Sequence, residues 1–282
     1  MDLLLQRNWF ILARLEENGL ISEAVYNGTD REIVARLLVD AKHFRVLGAS
    51  WEVYRAPGLT LPLRREIEEL YGLVAYFGCG EEFRRALSFL NDPFAAALFS
   101  ESVRGIIQAE TFLYKERGFP SSAVFEKDWV ENYIGGCRYY SNLDRVTREW
   151  FEYIGYDKRT DNLFNRTKTQ VLFRSEGQNT YRISSHLHDS FHGMALETVL
   201  DQDFTVRDIS GMLLRAPDAV CKESASYLPE LIGCNLNSLK RKDIYAKLGG
   251  AQGCVHFIEI AADGADTLKL YLSETGIEKR GF

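Results

Sequence analysis

The sequence predicts an α+β protein made of two related units, each an antiparallel sheet followed by helices. Three observations predict it. A block of alternating apolar and polar residues ending in proline occurs twice, apolar residues at helical spacing follow each occurrence, and an aromatic-rich stretch separates the two.

The repeated block reads D-A-K-H-F-R-V-L-G-A-S-W-E-V-Y-R-A-P at 40–57 and D-Q-D-F-T-V-R-D-I-S-G-M-L-L-R-A-P at 201–217. With a one-residue gap, Asp40, Phe44, Val46, Ser50, Arg55, Ala56 and Pro57 match Asp201, Phe204, Val206, Ser210, Arg215, Ala216 and Pro217. Leu70-Tyr71-Gly72 and Leu231-Ile232-Gly233 then follow at nearly equal distance, and Gly105-Ile106-Ile107-Gln108 stands in the order of Gly253-Cys254-Val255-His256. Each block reads as a strand, a tight turn and a second strand. Beyond each proline, Ile67, Leu70, Tyr71 and Val74, and likewise Ala225, Leu228 and Leu231, fall on one helical face. An internal duplication follows from this order of landmarks.

The expected organisation is therefore a first α+β unit at 1–115, a helical, aromatic-rich connector at 116–163, and a second α+β unit at 164–282. Trp129, Tyr133, Tyr139, Tyr140, Trp150, Phe151 and Tyr153 crowd the connector, and a polar stretch at 157–168 reads as the linker into the second unit.

The chain has 282 residues, is 46% hydrophobic and carries a formal charge of −6, so it can bury a core but offers no global positive field to nucleic acid or an anionic membrane. No stretch approaches the roughly 20 apolar residues of a membrane span, and Asp2 precedes the first apolar run, unlike a secretory signal. The five cysteines, an odd number, suit a reducing cytoplasm better than a disulfide framework. A protein partner or a homo-oligomer is compatible with this composition.

Chemistry-bearing residues concentrate in the second copy. His192 stands where the first copy has Arg31, Cys221 where it has Thr60 or Leu61, and Cys254 and His256 where it has Ile106 and Gln108. Two thiolates and two imidazoles form a four-ligand set suited to zinc, or with mixed ligation to an iron–sulphur cluster. Cys254 follows the glycine-rich turn 249–253 and opens the apolar-periodic run C-V-H-F-I-E-I-A-A, so a helix N-terminus is expected to lower its pKa. The alternative use of the same residues is a metal- or thiol-dependent enzyme on a small molecule, with Cys254 as nucleophile and His256 or Glu259 as base; Glu259, three residues beyond His256 on the same helical face, could also support the imidazole. A non-catalytic interaction protein is the third reading.

His186-x-His188-Asp189-x-x-His192 forms a second cluster, in which His186 and His188 share a strand face. The glycine run lacks the Lys-Ser/Thr of a phosphate loop, no nucleotide fingerprint occurs, and there is no Cys-x-x-Cys pair.

The path from H-G-M-A-L-E-T-V-L-D-Q-D-F-T-V-R-D-I through R-A-P-D-A-V-C and L-I-G-C-N-L to L-G-G-A-Q-G-C-V-H-F-I-E resembles an uncharacterised bacterial domain-of-unknown-function family ending in a G-C-[TV]-H motif. The resemblance covers about residues 164–275 and implies no activity. More remotely, the same order is similar to the NifU-like iron–sulphur cluster scaffolds. That likeness implies that His192 stands for the first cluster cysteine, Cys221 for the second, and Cys254 with His256 for the final pair. Met194 replaces the scaffold's aspartate, a histidine replaces one cysteine, and the final pair is spaced rather than adjacent. These departures bear on cluster assembly and leave metal binding open.

Overall fold

The computed structural model describes residues 1–155, 159–175, 177 and 179–276. Its strands are β1 (Asp2–Glu16), β2 (Gly19–Gly28), β3 (Glu32–Val39), β4 (Val46–Arg55), β5 (Leu63–Glu66), β6 (Asn162–Ser175), β7 (Thr180–Asp189), β8 (Gly193–Leu200) and β9 (Val206–Arg215). Its α-helices are α1 (Gly80–Ala86), α2 (Pro93–Ala109), α3 (Ser122–Tyr133), α4 (Trp150–Ile154), α5 (Ala219–Lys222), α6 (Arg241–Lys247) and α7 (Val255–Thr275). The fold is mixed α+β with antiparallel pairing, and among the described residues no helix is long and apolar enough to cross a membrane.

The chain forms two compact units. The first comprises Asn8–Asp128 and Tyr156–Thr167, the second Met1–Arg7, Trp129–Gly155 and Lys168–Phe282. Strands β1 and β6 therefore supply residues to both. Strand order is β5-β4-β3-β2-β1-β6 in the first unit and β1-β6-β7-β8-β9 in the second.

The two units share local geometry in detail. Leu20 pairs with Val39 and Asn27 with Glu32; in the second unit Tyr181 pairs with Leu200 and His188 with Gly193. The β3–β4 ladder shifts register at Glu32/Ile33 and Leu38/Val39, and the β8–β9 ladder at Gly193/Met194 and Val199/Leu200. Phe44 and Phe204 both adopt left-handed backbone, with φ of 57° and 63°. Gly72 and Gly233, at φ of 78° and 80°, donate to the carbonyls of Val46 and Val206 respectively. Side chains rarely take this backbone region, whereas glycine enters it at no steric cost.

Three expectations need correction. Each repeated block is a turn followed by one long strand, β4 or β9, and not two strands. The asparagine- and threonine-containing stretch from Asn162 onward is strand β6 and not linker, because its inward residues Phe164, Arg166 and Lys168 are buried; Asp157 and Lys158 lie outside the described residues. Beyond Pro57 there is no helix at 67–74. After β5 that stretch holds a single 3-10 turn at Glu68–Leu70, leaving Tyr71 and Val74 exposed, and Gly72, left-handed at φ 78°, ends it.

The core of the second unit sits between its strands and α7. Leu187, Met194, Leu196 and Leu213 pack with Phe257, Ile260, Ala261, Ala265 and Leu268, whose helical spacing gives α7 one apolar stripe. Each large side chain so buried contributes roughly 1.5–3 kcal/mol. The same helix carries buried polar groups. Lys168 Nζ donates to Glu259 Oε1 at 2.9 Å and to Asp263 Oδ2 at 2.7 Å. α7 ends at Gly276, left-handed at φ 67°.

Candidate functional site

The β7–β8 hairpin turn, Asp189-Ser190-Phe191-His192, is locked from within and from outside. Asp189 N–H donates to His192 O at 2.9 Å. Asp189 Oδ1 accepts the N–H groups of Phe191 at 2.8 Å and His192 at 2.6 Å, the behaviour that makes aspartate a turn former. Arg215, the arginine of the second R-A-P, donates Nη1 to Ser190 O at 2.7 Å and Nη2 to His192 O at 3.0 Å and also to Asp189 O. Tyr153 OH donates to Phe191 O, and Trp150 packs edge-on against the Phe191 ring at 4.8 Å.

This turn presents Asp189 and His192 to the start of α7. The His192 and His256 rings lie 4.1 Å apart. Asp189 Oδ1 sits 3.1 Å from His192 Nδ1, and Asp189 Oδ2 sits 4.0 Å from His256 Nε2. The Asp189 side chain is fully buried, while those of His192 and His256 are 12% and 13% exposed, so the imidazoles form the accessible side. One ligand atom from each of the three residues lies within 4.8 Å of the other two.

α7 places His256 by a close-packed entry. A Cβ on Gly253 would fall 1.8 Å from Leu248 O, so only glycine fits there. Cys254 is the N-cap residue and His256 lies in the first turn. Cys254 Sγ lies 3.9 Å from His256 Nδ1, on the ring side away from the nitrogen that faces Asp189.

The sequence set thus separates. His192 and His256 come together. Cys254 touches His256 but stands outside the close group, as does Cys221, which occupies the third position of α5 behind its N-cap Asp218. Burial pushes the Cys254 thiol up to about 12 and the Cys221 thiol up to about 11; the helix-start N–H groups of Phe257 and His256 pull Cys254 down by less, and nearby Cys137 adds to the rise in both. The lowered Cys254 pKa expected from its helix position is therefore reversed, because desolvation of a thiolate outweighs a few backbone dipoles. Glu259 is buried and accepts from Lys168. His186 lies on the other face of β7 from Asp189, with Nε2 3.0 Å from Ser184 Oγ; His188 shares that face.

Asp189 is the site residue that sequence reasoning did not assign. Its signal was the spacing Asp-x-x-His across a four-residue turn between strands. The pairing of Cys254 and His256 with Ile106 and Gln108 also fails, since the latter occupy the last turn of α2. In position within its helix, His256 corresponds to Phe94, the second residue of α2 behind the N-cap Asp92.

The first unit has the same turn without the same chemistry. Gly28 N–H donates to Arg31 O at 2.9 Å, as Asp189 does to His192 O. Arg55, the other R-A-P arginine, donates to Gly28 O at 2.6 Å and to Thr29 O at 3.0 Å. Arg31 lies 4.1 Å over the Phe94 ring and bonds Asp30 at 2.7 Å. A cation–π contact thus stands where the second unit has two imidazoles beside a carboxylate.

Comparison with known proteins adds little chemistry. No curated protein and no solved structure matches the chain. One family model does match, described as a protein of unknown function (DUF2889). A DUF2889 domain is found at residues 169–269, a span that contains Asp189, His192, Cys221, Cys254 and His256.

Proposed function

We propose that the second unit binds a divalent transition metal through Asp189, His192 and His256. The observation that carries this reading is the convergence of two imidazoles and one carboxylate within 4.8 Å, from two elements remote in sequence. A carboxylate and two histidines suit zinc or ferrous iron. An ion with bonds of about 2.1 Å holds tetrahedral ligands about 3.4 Å apart, so small side-chain rotations close the group. Asp189 would orient His192 through Oδ1 while offering Oδ2. Three protein ligands leave a position for water or substrate, the pattern of a catalytic rather than a closed site.

We read the two units as copies of one unit. The matched registers, left-handed phenylalanines and arginine-clamped turns favour this, and Asp189, His192 and His256 then stand where the first copy has Gly28, Arg31 and Phe94. A thiolate-ligated iron–sulphur cluster is the weaker use of this site, since Cys221 and Cys254 lie outside the group of ligand atoms that converge on Asp189, His192 and His256. The five cysteines are all free, which fits a cytoplasmic setting.

A second reading rests on the 3.9 Å contact of Cys254 Sγ with His256 Nδ1, a thiol beside a base as in thiol-dependent enzymes. Metal analysis of protein purified without chelator separates the two. About one equivalent is expected in the native chain and in Cys221→Ala, with loss in Asp189→Asn, His192→Ala and His256→Ala. Absence of metal in every preparation, with selective alkylation of Cys254 near neutral pH, turns the assignment to the thiol enzyme.

A further inference from the structure

The segment 137–153 touches both chain stretches that supply the three candidate ligands, and its contacts at one end converge on Arg138. The backbone N–H of Arg138 donates to Gly253 O at 2.8 Å, the carbonyl immediately before Cys254. Its Nη1 donates to Gln252 O at 3.0 Å and its Nε to Val220 O at 3.0 Å, the carbonyl immediately before Cys221. Its Nη2 pairs with Glu223, which Arg145 also holds. Three residues on, Ser141 Oγ donates to Ala251 O at 2.7 Å, and Asn142 Nδ2 reaches Gln252 Oε1 at 3.1 Å.

The carbonyls of Ala251, Gln252 and Gly253 are thereby engaged by this one segment. These residues form the turn that aims the first residues of α7. The turn's own bonds use the N–H groups of Gln252 and Gly253 and the carbonyls of Gly249 and Gly250, so the direction of the next three carbonyls depends on what holds them. At the far end of the segment, Trp150 and Tyr153 grip Phe191 in the turn that carries Asp189 and His192. Arg148 and Thr147 hold Pro217 O and Asp218 between the two ends.

We propose that Arg138 is the positioning residue of the candidate site, and that its guanidinium sets the angle at which His256 meets Asp189 and His192. The inference rests on the metal reading for its functional meaning. Its geometric content, the placement of His256, stands apart from whether a metal binds. Arginine suits this task because its rigid fork reaches two carbonyls and a carboxylate at once, which a lysine ammonium does not.

The test compares Arg138→Ala and Arg138→Lys with the native chain by two readouts. The first is side-chain ¹⁵N spectra of the histidines in metal-free protein. Signals of His192 and His256 are expected to move in both variants, while exposed His43 in the first unit stays fixed. The second is a Zn²⁺ titration, where affinity is expected to fall about 10-fold or more, the range seen when groups supporting a metal ligand are removed. Superimposable His192 and His256 signals overturn the proposal whatever the zinc data. Restoration of both readouts by lysine also overturns it, since charge alone would then suffice. A native chain that takes up no zinc, with shifted histidine signals in the variants, defeats the metal reading and upholds the positioning. If Arg138→Ala does not fold, Glu223→Gln loosens the exposed anchor that the guanidinium shares with Arg145, Arg145→Ala serves as the control for that second partner, and the same histidine signals decide.

Discussion

Replacing Arg215 by alanine removes three donated hydrogen bonds, to Asp189 O, Ser190 O and His192 O, from the turn that carries the carboxylate and one imidazole. Hydrogen bonds from a charged donor contribute about 1.5–3 kcal/mol when protected. Arg215 is exposed, so solvent takes over part of each, and a total loss of about 1–2 kcal/mol is the reasonable expectation. For a chain of this size that corresponds to a fall in Tm of about 2–6 °C. The matched control is Arg55→Ala in the first unit, which removes donations to Gly28 O and Thr29 O from the equivalent turn. Both variants should lose comparable stability in a thermal melt. Only Arg215→Ala should weaken zinc, by about 10-fold, read by calorimetric titration. Equal zinc affinity in the two variants, with both destabilised, refutes the argument that the clamped turn serves a site in one unit alone.

Other predictions follow from the same geometry. Asp189→Asn keeps an oxygen for the N–H groups of Phe191 and His192 but loses the charge, so the fold should persist in circular dichroism while zinc affinity collapses. Because Cys254 is buried, which also pushes its thiol up to about 12, mass-spectrometric alkylation at pH 8 should label Cys254 last among the five cysteines. Burial alone would raise the Asp218 carboxyl, but the N–H groups of Val220 and Thr147 and the Thr147 hydroxyl hold it below the ordinary range. Its contribution is therefore present above the unfolded carboxylate pKa of about 4 and is lost as pH falls through the lower folded value. Asp218→Ala should cost about 1–2 kcal/mol at pH 7, and the difference from the native chain should shrink in acid denaturation series. Lys168→Met leaves Glu259 and Asp263 together without their shared cation, and chemical denaturation should register a loss of about 3–5 kcal/mol.

Much of this arrangement was legible in the sequence where local patterns repeat. The R-A-P blocks and the glycines Gly72 and Gly233 mark strand ends and turns, the glycines because left-handed backbone favours them, while Phe44 and Phe204 are matched by sequence although that backbone disfavours their side chains. The helix opened by Cys254 was legible for the same reason, as a glycine-rich turn followed by apolar periodicity. Asp189 was harder to assign because an aspartate in a hairpin turn has a sufficient local explanation in the N–H groups it accepts. Its second role appears only when β7 and α7 are brought together. Cys221 and Cys254 looked like ligands by residue type, yet their burial is a property of the packed core, which spacing does not reveal. Arg138 lay hidden for a related reason. Its partners are backbone carbonyls at Val220 and Gln252, which leave no mark in side-chain pattern.

The most direct test of the central claim is a Zn²⁺ titration of chelator-treated full-length protein beside its Asp189→Asn and His256→Ala variants, followed by calorimetry. One zinc per chain in the native protein, and none in either variant under the same conditions, is the predicted result. Binding that is absent from the native chain, or unchanged in both variants, contradicts the assignment of Asp189, His192 and His256 as a metal site.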